Sequence, residues 1–279
     1  MFLPGTWFRL VYQNKRRYSQ SVILQLKTLL RRLTLMTSFD IRRRLPAASL
    51  APLDLVLNSY DARGEQITIL QVGACDGVTS DPVRHHVKRG CARAVLIEPN
   101  PLAFARLQEN YAGIPNVTLV PAAIGEVDGE AHLYRVKKTE KTDSKVDLTL
   151  ELASFYREHL ERHGKKAHEI ERITVPSRSL SSLVTELGLT KIDLLQIDVE
   201  GFDAAVVRMA LKMHVRPDCI NFEHVHLSRA DRKPLFDLLD AHGYLLGYDS
   251  WNILAVQLPL LKRMRGEEPA DRQGHNLPA

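Results

Sequence analysis

The sequence predicts an α/β protein built around a mostly parallel sheet, because three apolar stretches each end in a glycine turn or a carboxylate. The first, Ile67–Val72, runs directly into a turn that holds two glycines. The second ends at Glu98, and the third, over residues 192–197, ends at Asp198. Each is followed by a helix-compatible segment. Buried strands that alternate with helices are typical of a doubly wound nucleotide-binding sheet.

The turn after the first strand is a candidate ligand-binding loop. Its glycines allow the backbone to turn sharply and to lie close to a ligand where a Cβ atom would collide. About twenty residues further on, the second strand ends in Glu98, at the distance where an acid binds both ribose hydroxyls of a nucleoside. The loop consists of Gly73, Ala74, Cys75, Asp76 and Gly77, and Pro99 and Asn100 follow the acid.

The spacing of this loop favours one adenosine cofactor over the others. A dinucleotide fingerprint has three glycines in G-x-G-x-x-G, whereas this loop reads G-x-x-x-G with Asp76 inside the turn. A carboxylate there would repel a pyrophosphate and would attract an ammonium group. S-adenosylmethionine carries an ammonium group and a ribose and has no phosphate, so it is the predicted cofactor.

Composition and charge set the class of protein. The chain of 279 residues is 44% hydrophobic and 25% charged, which is typical of a globular protein. The sequence holds no apolar run long enough to cross a bilayer, and its three cysteines are widely spaced, which indicates a reducing compartment without a disulfide framework or zinc site. We expect a cytoplasmic protein; the sequence leaves its oligomeric state undetermined.

Basic charge is concentrated in an N-terminal arm, residues 1–45, which holds ten of the 38 Lys and Arg residues and one of the 33 acids. Apolar residues over 22–35 recur at helical spacing, which predicts a basic amphipathic helix. Such a helix can pack on the body or lie on anionic lipid at the inner membrane surface. Nucleic acid is disfavoured as a partner because no downstream segment resembles a nucleic-acid-binding module. Because the segment is rich in arginine and poor in acids, its composition is also compatible with an organelle transit peptide.

The rest of the chain divides into a domain over residues 46–257 and a flexible tail over 258–279. The α/β rhythm is interrupted at 137–172, where a polar, Lys-rich stretch precedes an amphipathic helix predicted at 148–163. We interpret this insertion as a lid over the carboxyl edge of the sheet. The final strands, Tyr244–Tyr248 and Asn252–Gln257, form a predicted antiparallel hairpin. A strand over 219–226 precedes them.

Chemistry-bearing residues gather at the predicted strand ends. Ligands of an open parallel sheet bind beyond the carboxyl ends of its strands. The side chains expected there come from strands far apart in sequence: Glu98, Asp198, Glu200, Glu223 and His224. The small residues Ala122 and Ala123 follow a further predicted strand, Val117–Val120, and leave room for a flat adenine ring.

Four motifs together resemble the FkbM family of S-adenosylmethionine-dependent methyltransferases. They are Gln71-Val-Gly-Ala-Cys-Asp-Gly77, Leu96-Ile-Glu-Pro-Asn-Pro101, Ala122-Ala-Ile-Gly125 and Ile197-Asp-Val-Glu-Gly201. The resemblance spans about residues 67–257 and departs from the family at Cys75, where Asn is more usual. It implies a Rossmann-like, seven-stranded class I methyltransferase sheet with helices on both faces, and O-methylation of a sugar, a glycolipid or another small hydroxylated molecule. It also implies that the glycine loop holds the methionine end of the cofactor, Glu98 the ribose, and that Asp198 lies near the transferred methyl group.

Methyl transfer to a hydroxyl needs a base, because an alcohol is a poor nucleophile at neutral pH. His224 is the first candidate, and Asp198 or Glu223 orients it or replaces it. A divalent ion held by Asp198, Glu223, His224 and His226 is an alternative way to acidify the hydroxyl, although no metal ligand is assigned. Two other functions also fit the predicted fold: a nucleotide-dependent oxidoreductase and a non-catalytic binding module on a membrane surface.

Overall fold

The computed structural model describes residues 52–137 and 152–265. The N-terminal arm, part of the predicted lid and residues 266–279 lie outside the described residues, and so does the amphipathic helix predicted within the arm. Across the described ranges, no helix is both long enough and apolar enough to cross a membrane.

Strands and helices alternate along most of the described chain. The strands are β1 (Ile67–Val72), β2 (Ala92–Ile97), β3 (Val117–Val120), β4 (Ala123–Ile124), β5 (Gly129–Val136), β6 (Ala153–Ser154), β7 (Ile170–Arg178), β8 (Leu194–Ile197), β9 (Cys219–Glu223), β10 (Tyr244–Tyr248) and β11 (Asn252–Gln257). The helices are α1 (Pro52–Ala62), α2 (Arg84–Lys88), α3 (Pro101–Asn110), α4 (Arg157–Arg162), α5 (Leu180–Glu186), α6 (Asp203–Lys212), α7 (Arg229–Ala241) and α8 (Leu258–Met264).

Seven strands form the main sheet, in the order β10-β11-β9-β8-β1-β2-β3. The pairs β1–β2, β1–β8, β2–β3 and β8–β9 are parallel, whereas β11 runs antiparallel to both β9 and β10. The order reverses between β1 and β8, so a cleft opens there at the carboxyl ends of the strands. This topology confirms the predicted class I sheet with its C-terminal antiparallel hairpin.

The central strands are apolar because both of their faces are covered. All four residues of β8 are buried, as are five of the six residues of β1. Parallel strands covered on both faces lack the alternation of polar and apolar residues that a half-exposed strand shows. The helix α1 packs Leu57 and Tyr60 into the same core.

A second sheet, in the order β4-β7-β5-β6, occupies the chain between β3 and β8. Its main contact is the antiparallel pair β5–β7, which aligns residues 129–136 with residues 170–177. The sequence predicted β5, but it did not predict that β7 would begin at Ile170. The helix predicted over 148–163 is confirmed only over Arg157–Arg162, which is α4; before it, the described residues form β6 and an extended stretch instead.

Two further boundaries differ from the sequence-based predictions. The strand predicted over 219–226 ends at Glu223, and a turn follows in which the N–H of Leu227 donates to the carbonyl of His224. The predicted flexible tail begins instead with α8, whose Leu260 is fully buried. Pro259 lies in the first turn of that helix, where proline is tolerated because its missing N–H needs no partner.

Candidate active site

A cavity of about 200 Å³ opens at the carboxyl ends of β1, β2 and β8. Seven of its lining residues were predicted as site residues from the sequence: Gly73, Cys75, Glu98, Pro99, Ala122, Ala123 and Asp198. The other lining residues are Val72, Thr79, Ser80, Ile124, Leu133, Ala153, Ser154, Phe155, Val199 and Glu200. The main sheet and the second sheet therefore both contribute to one cavity.

Gly73, directly after β1, lies against the backbone of Asp198, directly after β8, and lines the cavity. Its φ is +81°, and a Cβ atom there would lie 1.7 Å from the backbone oxygen of Asp198. The N–H groups of Gly73 and Ala74 both donate to the carbonyl of Ile97, at 3.0 Å. No side chain fits at this position, which explains why the loop begins with glycine.

Asp76 stabilises the loop from within. Its carboxylate accepts hydrogen bonds from the N–H groups of Val78 and Thr79, at 2.8 and 2.7 Å, and from the Thr79 hydroxyl. Burial acts to raise the pKa of Asp76, but these hydrogen bonds outweigh it and the pKa is lowered. Ala74, Asp76 and Gly77 do not line the cavity. The carboxylate that we expected to meet the cofactor's ammonium group is therefore bonded to its own loop.

Glu98 lies at the end of β2 with only 6% of its surface exposed. Its Oε2 accepts a hydrogen bond from the N–H of Cys75 at 2.9 Å, and its Oε1 accepts one from the N–H of Asn100 at 2.7 Å. Burial, opposed by these two bonds and aided by the charge of Asp198, raises the pKa of Glu98 to about 7. The backbone thus fixes both carboxylate oxygens at the cavity wall.

Asn100 supports this wall from behind without lining the cavity. Its side chain is fully buried and caps α3 by accepting from the N–H of Leu102 at 3.2 Å. The same Oδ1 accepts from Nη1 of Arg135 at 3.0 Å, and Nε of Arg135 donates to Glu171. Arg135 therefore ties the second sheet to the strand end that carries Glu98.

The opposite wall comes from the segment after β8 and from β6. Ser154 donates its hydroxyl to the backbone oxygen of Glu200 at 2.8 Å, and Glu200 has a φ of +51°. Phe155 packs edge-on against Phe202, with ring centroids 4.8 Å apart. Glu200 was expected at this edge from the sequence, whereas Ser154 and Phe155 were not, because their partners are far away in the sequence.

Glu200 contacts a group of three histidines, of which the sequence analysis named only His226. Its Oε2 lies 2.6 Å from Nε2 of His159. The His159 ring is in turn close to the rings of His163 and His226, with centroids 4.5 and 4.7 Å away. The signal that the sequence offered was the spacing of His159 and His163, since residues four apart share one face of a helix.

Only one of the three residues predicted as a catalytic base lines the cavity. Asp198 lines the cavity, whereas Glu223 and His224 do not. Burial, together with the charges of Asp198, Asp203 and Glu200, raises the pKa of Glu223 to about 8, and its Oε2 lies 3.4 Å from Nε2 of His226. His224 follows β9 directly, and its backbone N–H donates to the carbonyl of Trp251. The catalytic roles of Glu223 and His224 stay predictions.

Known proteins resemble this chain in part. The 2-O-methyltransferase NoeI of Sinorhizobium fredii is 29% identical over 139 residues, which cover 50% of this chain and 55% of NoeI, so the match spans about half of that relative. An O-methyltransferase from Bacillus cereus in complex with SAH matches 89% of this chain and 96% of its own, with 15% identity and a TM-score of 0.37. Fibrillarin from Aeropyrum pernix with bound S-adenosyl-L-methionine matches 72% and 74%, with 14% identity and a TM-score of 0.38. Structural likenesses this distant carry no argument about the site.

The family is shown by a match of a different kind. A sequence profile described as "Methyltransferase FkbM domain" matches residues 71–246, which is more than half of the chain. The match includes the glycine loop, Glu98 and Asp198, as well as the second sheet. It confirms the prediction that was made from the four motifs: the chain belongs to the FkbM family of S-adenosylmethionine-dependent methyltransferases.

Proposed function

We propose that this protein is an O-methyltransferase that transfers a methyl group from S-adenosylmethionine to a hydroxyl of a sugar, a glycolipid or another small hydroxylated molecule. The observation that carries the proposal is the shared cavity: Glu98 and Asp198, from strands far apart in sequence, line one space directly above Gly73. Family membership and the class I sheet support the same conclusion.

Glu98 has the geometry to hold the ribose. Each of its carboxylate oxygens accepts one backbone hydrogen bond, from Cys75 or Asn100. A carboxylate oxygen has a second acceptor direction, so two ribose hydroxyls can donate to Glu98 without displacing the backbone. The nearly buried alanines Ala122 and Ala123 leave a shallow wall on which an adenine ring can pack. The loop at Cys75 then receives the methionine end.

The reaction is an in-line displacement at the sulfonium methyl carbon. The acceptor oxygen forms a bond to that carbon while the carbon–sulfur bond breaks, the electron pair stays on sulfur, and S-adenosylhomocysteine leaves. The hydroxyl proton must pass to a base within hydrogen-bond reach. Asp198 becomes the first candidate for orienting or deprotonating the acceptor because it lines the cavity, and Glu223 and His224 remain as alternatives.

Two observations support the class of acceptor: the similarity to NoeI and the basic charge of residues 1–45. NoeI is named a 2-O-methyltransferase, which supports oxygen as the methylated atom. The basic segment at residues 1–45 can also hold an enzyme near an anionic inner membrane surface, which would give it access to a glycolipid acceptor. Deletion of residues 1–45 is expected to reduce sedimentation with anionic vesicles, and unchanged sedimentation would contradict the membrane contact.

The proposal is tested by incubating the protein with S-adenosylmethionine and a panel of free sugars, glycolipids and aliphatic alcohols, and by searching for a mass gain of one CH₂ group. Asp198→Asn is expected to lower the rate at least about a hundredfold. The matched control is Asp237→Asn, a change on the exposed face of α7, which should leave the rate unchanged. Failure of S-adenosylhomocysteine to bind the folded protein would overturn the proposal, and an Asp198→Asn variant as active as wild type would overturn the role of Asp198.

A further inference from the structure

The histidine cluster, which we define as His159, His163 and His226, brings three imidazoles together beside the candidate active site. Each offers one ring nitrogen, and these three atoms all lie within 4.8 Å of one another. A second set, Glu200, Glu223 and His226, meets the same limit, so His226 belongs to both sets. The fold assembles these residues from α4 and its C-cap, the turn after β8, the last residue of β9 and the turn that follows β9.

His159 shows the clearest sign of a ligand role. Its side chain is fully buried, and Nε2 lies 2.6 Å from the Glu200 carboxylate. Its other nitrogen, Nδ1, is buried with no hydrogen-bond partner among the described residues. An imidazole that donates one N–H to a carboxylate presents a lone pair on its other nitrogen, which is the arrangement of metal-binding histidines.

His163 shows the same arrangement with a different partner. Its Nδ1 lies 2.9 Å from the backbone oxygen of His159. A carbonyl oxygen can only accept, so Nδ1 carries the proton and Nε2 offers its lone pair. Two neighbouring histidines are therefore each oriented through one nitrogen, which leaves the other nitrogen available to a ligand.

Two carboxylates lie beside the cluster, and neither has a Lys or Arg partner within the described ranges. The ion-pair partners found for Glu200 and Glu223 in the described ranges are histidines, His159 and His226 respectively. A histidine is charged only when it is protonated. A divalent cation would compensate both carboxylates at once.

We propose that the histidine cluster binds one divalent transition-metal ion, with Glu200 and Glu223 as the adjacent carboxylates. Imidazole nitrogens suit zinc, iron, nickel and copper, whereas magnesium and calcium prefer oxygen ligands. Around tetrahedral zinc the nitrogen–metal distance is about 2.0–2.1 Å, so its ligand atoms lie about 3.4 Å apart. The three nitrogens lie within 4.8 Å of one another, so they would move closer together when the ion binds.

The position of the cluster gives the metal a role in the reaction, and this part rests on the proposed function. Glu200 lines the cavity and contacts His159, so an ion held by the cluster would lie beside the part of the cavity wall that Glu200 forms. A bound divalent ion would polarise an acceptor hydroxyl and lower its pKa, which makes it a better nucleophile. The metal would then supply part of the activation that we otherwise assign to a protein base.

Metal binding is tested with the full chain, purified without a polyhistidine tag. Calorimetric titration with Zn²⁺ and the visible absorption of added Co²⁺ should show one site, and Mg²⁺ should not compete for it. His163→Ala is expected to weaken Zn²⁺ binding at least about tenfold. The matched control is His168→Ala, an exposed histidine on the same segment, which should bind as wild type does.

Binding of Zn²⁺ by His163→Ala with wild-type affinity, or the absence of a saturable Zn²⁺ site in the wild type, would overturn the proposal. S-adenosylhomocysteine is titrated into the same samples, because its binding tests the proposed function independently of Zn²⁺ binding. If S-adenosylhomocysteine binds to wild type and to His163→Ala with the same affinity, the weaker Zn²⁺ binding of the variant comes from the altered histidine cluster and not from damage to the cofactor site. Circular dichroism of His163→Ala confirms that the variant is folded.

Discussion

The end of the cavity that we propose for the cofactor and the end that we propose for the acceptor are assembled in different ways. At the cofactor end, Glu98 bonds to backbone groups of Cys75 and Asn100, which are 23 and 2 residues away in the chain. At the acceptor end, Glu200 contacts Ser154 and His159, which are 46 and 41 residues away and belong to the second sheet and α4. The cofactor end is thus built from consecutive βα units, whereas the acceptor end depends on an insertion that must fold back onto the sheet.

This difference predicts that Gly73→Ala is the most damaging substitution at the cofactor end. The new Cβ atom would lie 1.7 Å from the oxygen of Asp198 at a φ of +81°. Gly64→Ala is the matched control, because Gly64 has a φ of +65° and nothing within 4 Å of its Cβ position. In urea denaturation, we expect a loss of about 1 kcal/mol for the control and of at least about 3 kcal/mol for Gly73→Ala. Equal losses would show that the close approach to Asp198 is unimportant.

Glu98→Gln is expected to have the next largest effect, on cofactor affinity. The amide keeps the size of the side chain but removes the charge and one acceptor. A hydrogen bond to a charged group contributes about 1.5–3 kcal/mol, so S-adenosylhomocysteine should bind at least about tenfold more weakly in calorimetry. Glu109→Gln, on the exposed face of α3, is the control. If Glu98→Gln binds S-adenosylhomocysteine as tightly as the wild type does, Glu98 does not bind the ribose.

Cofactor affinity should also depend on pH. Because the pKa of Glu98 in the folded protein is raised to about 7, its carboxylate is mostly ionised at pH 8 and mostly protonated at pH 6. The ribose hydroxyls donate to the ionised form, so affinity should fall about tenfold from pH 8 to pH 6. Calorimetry at both pH values measures this, and Glu98→Gln should show a much smaller change. A flat profile for the wild type would contradict the assignment.

The smallest expected effect lies at the acceptor end. Ser154→Ala removes the hydroxyl that donates to the Glu200 backbone oxygen and accepts from the N–H of Tyr156. Loss of these bonds should destabilise the protein by about 1 kcal/mol and lower the methylation rate with little change in cofactor affinity. An equal loss of cofactor affinity would show that the two ends of the cavity are not separate.

The same comparison explains what the sequence could predict. The main sheet was predictable because its buried strands are continuous apolar runs, each followed by its own turn or acid, as at Gly73 and Glu98. Strand ends were harder: residues 224–226 continue a strand-like pattern, yet β9 ends at Glu223. The second sheet was missed because the pairing of β5 with β7 joins segments about forty residues apart, and no local signal marks the partner.

Individual site residues follow the same division. Glu98, Ala122 and Asp198 were found because each lies at the end of a predicted strand. Asp76 was recognised as a loop residue, but its bonds to Thr79 could not be seen in the spacing. His159 was missed because its relation to Glu200 and His226 exists only after the insertion has folded.

The most direct test of the central claim is a crystal structure of the protein with S-adenosylhomocysteine. The account predicts the ligand in the cavity above Gly73, with both ribose hydroxyls within hydrogen-bond distance of the two Glu98 oxygens and the sulfur atom on the side of Asp198. A ligand bound elsewhere, or a ribose that makes no contact with Glu98, would contradict it.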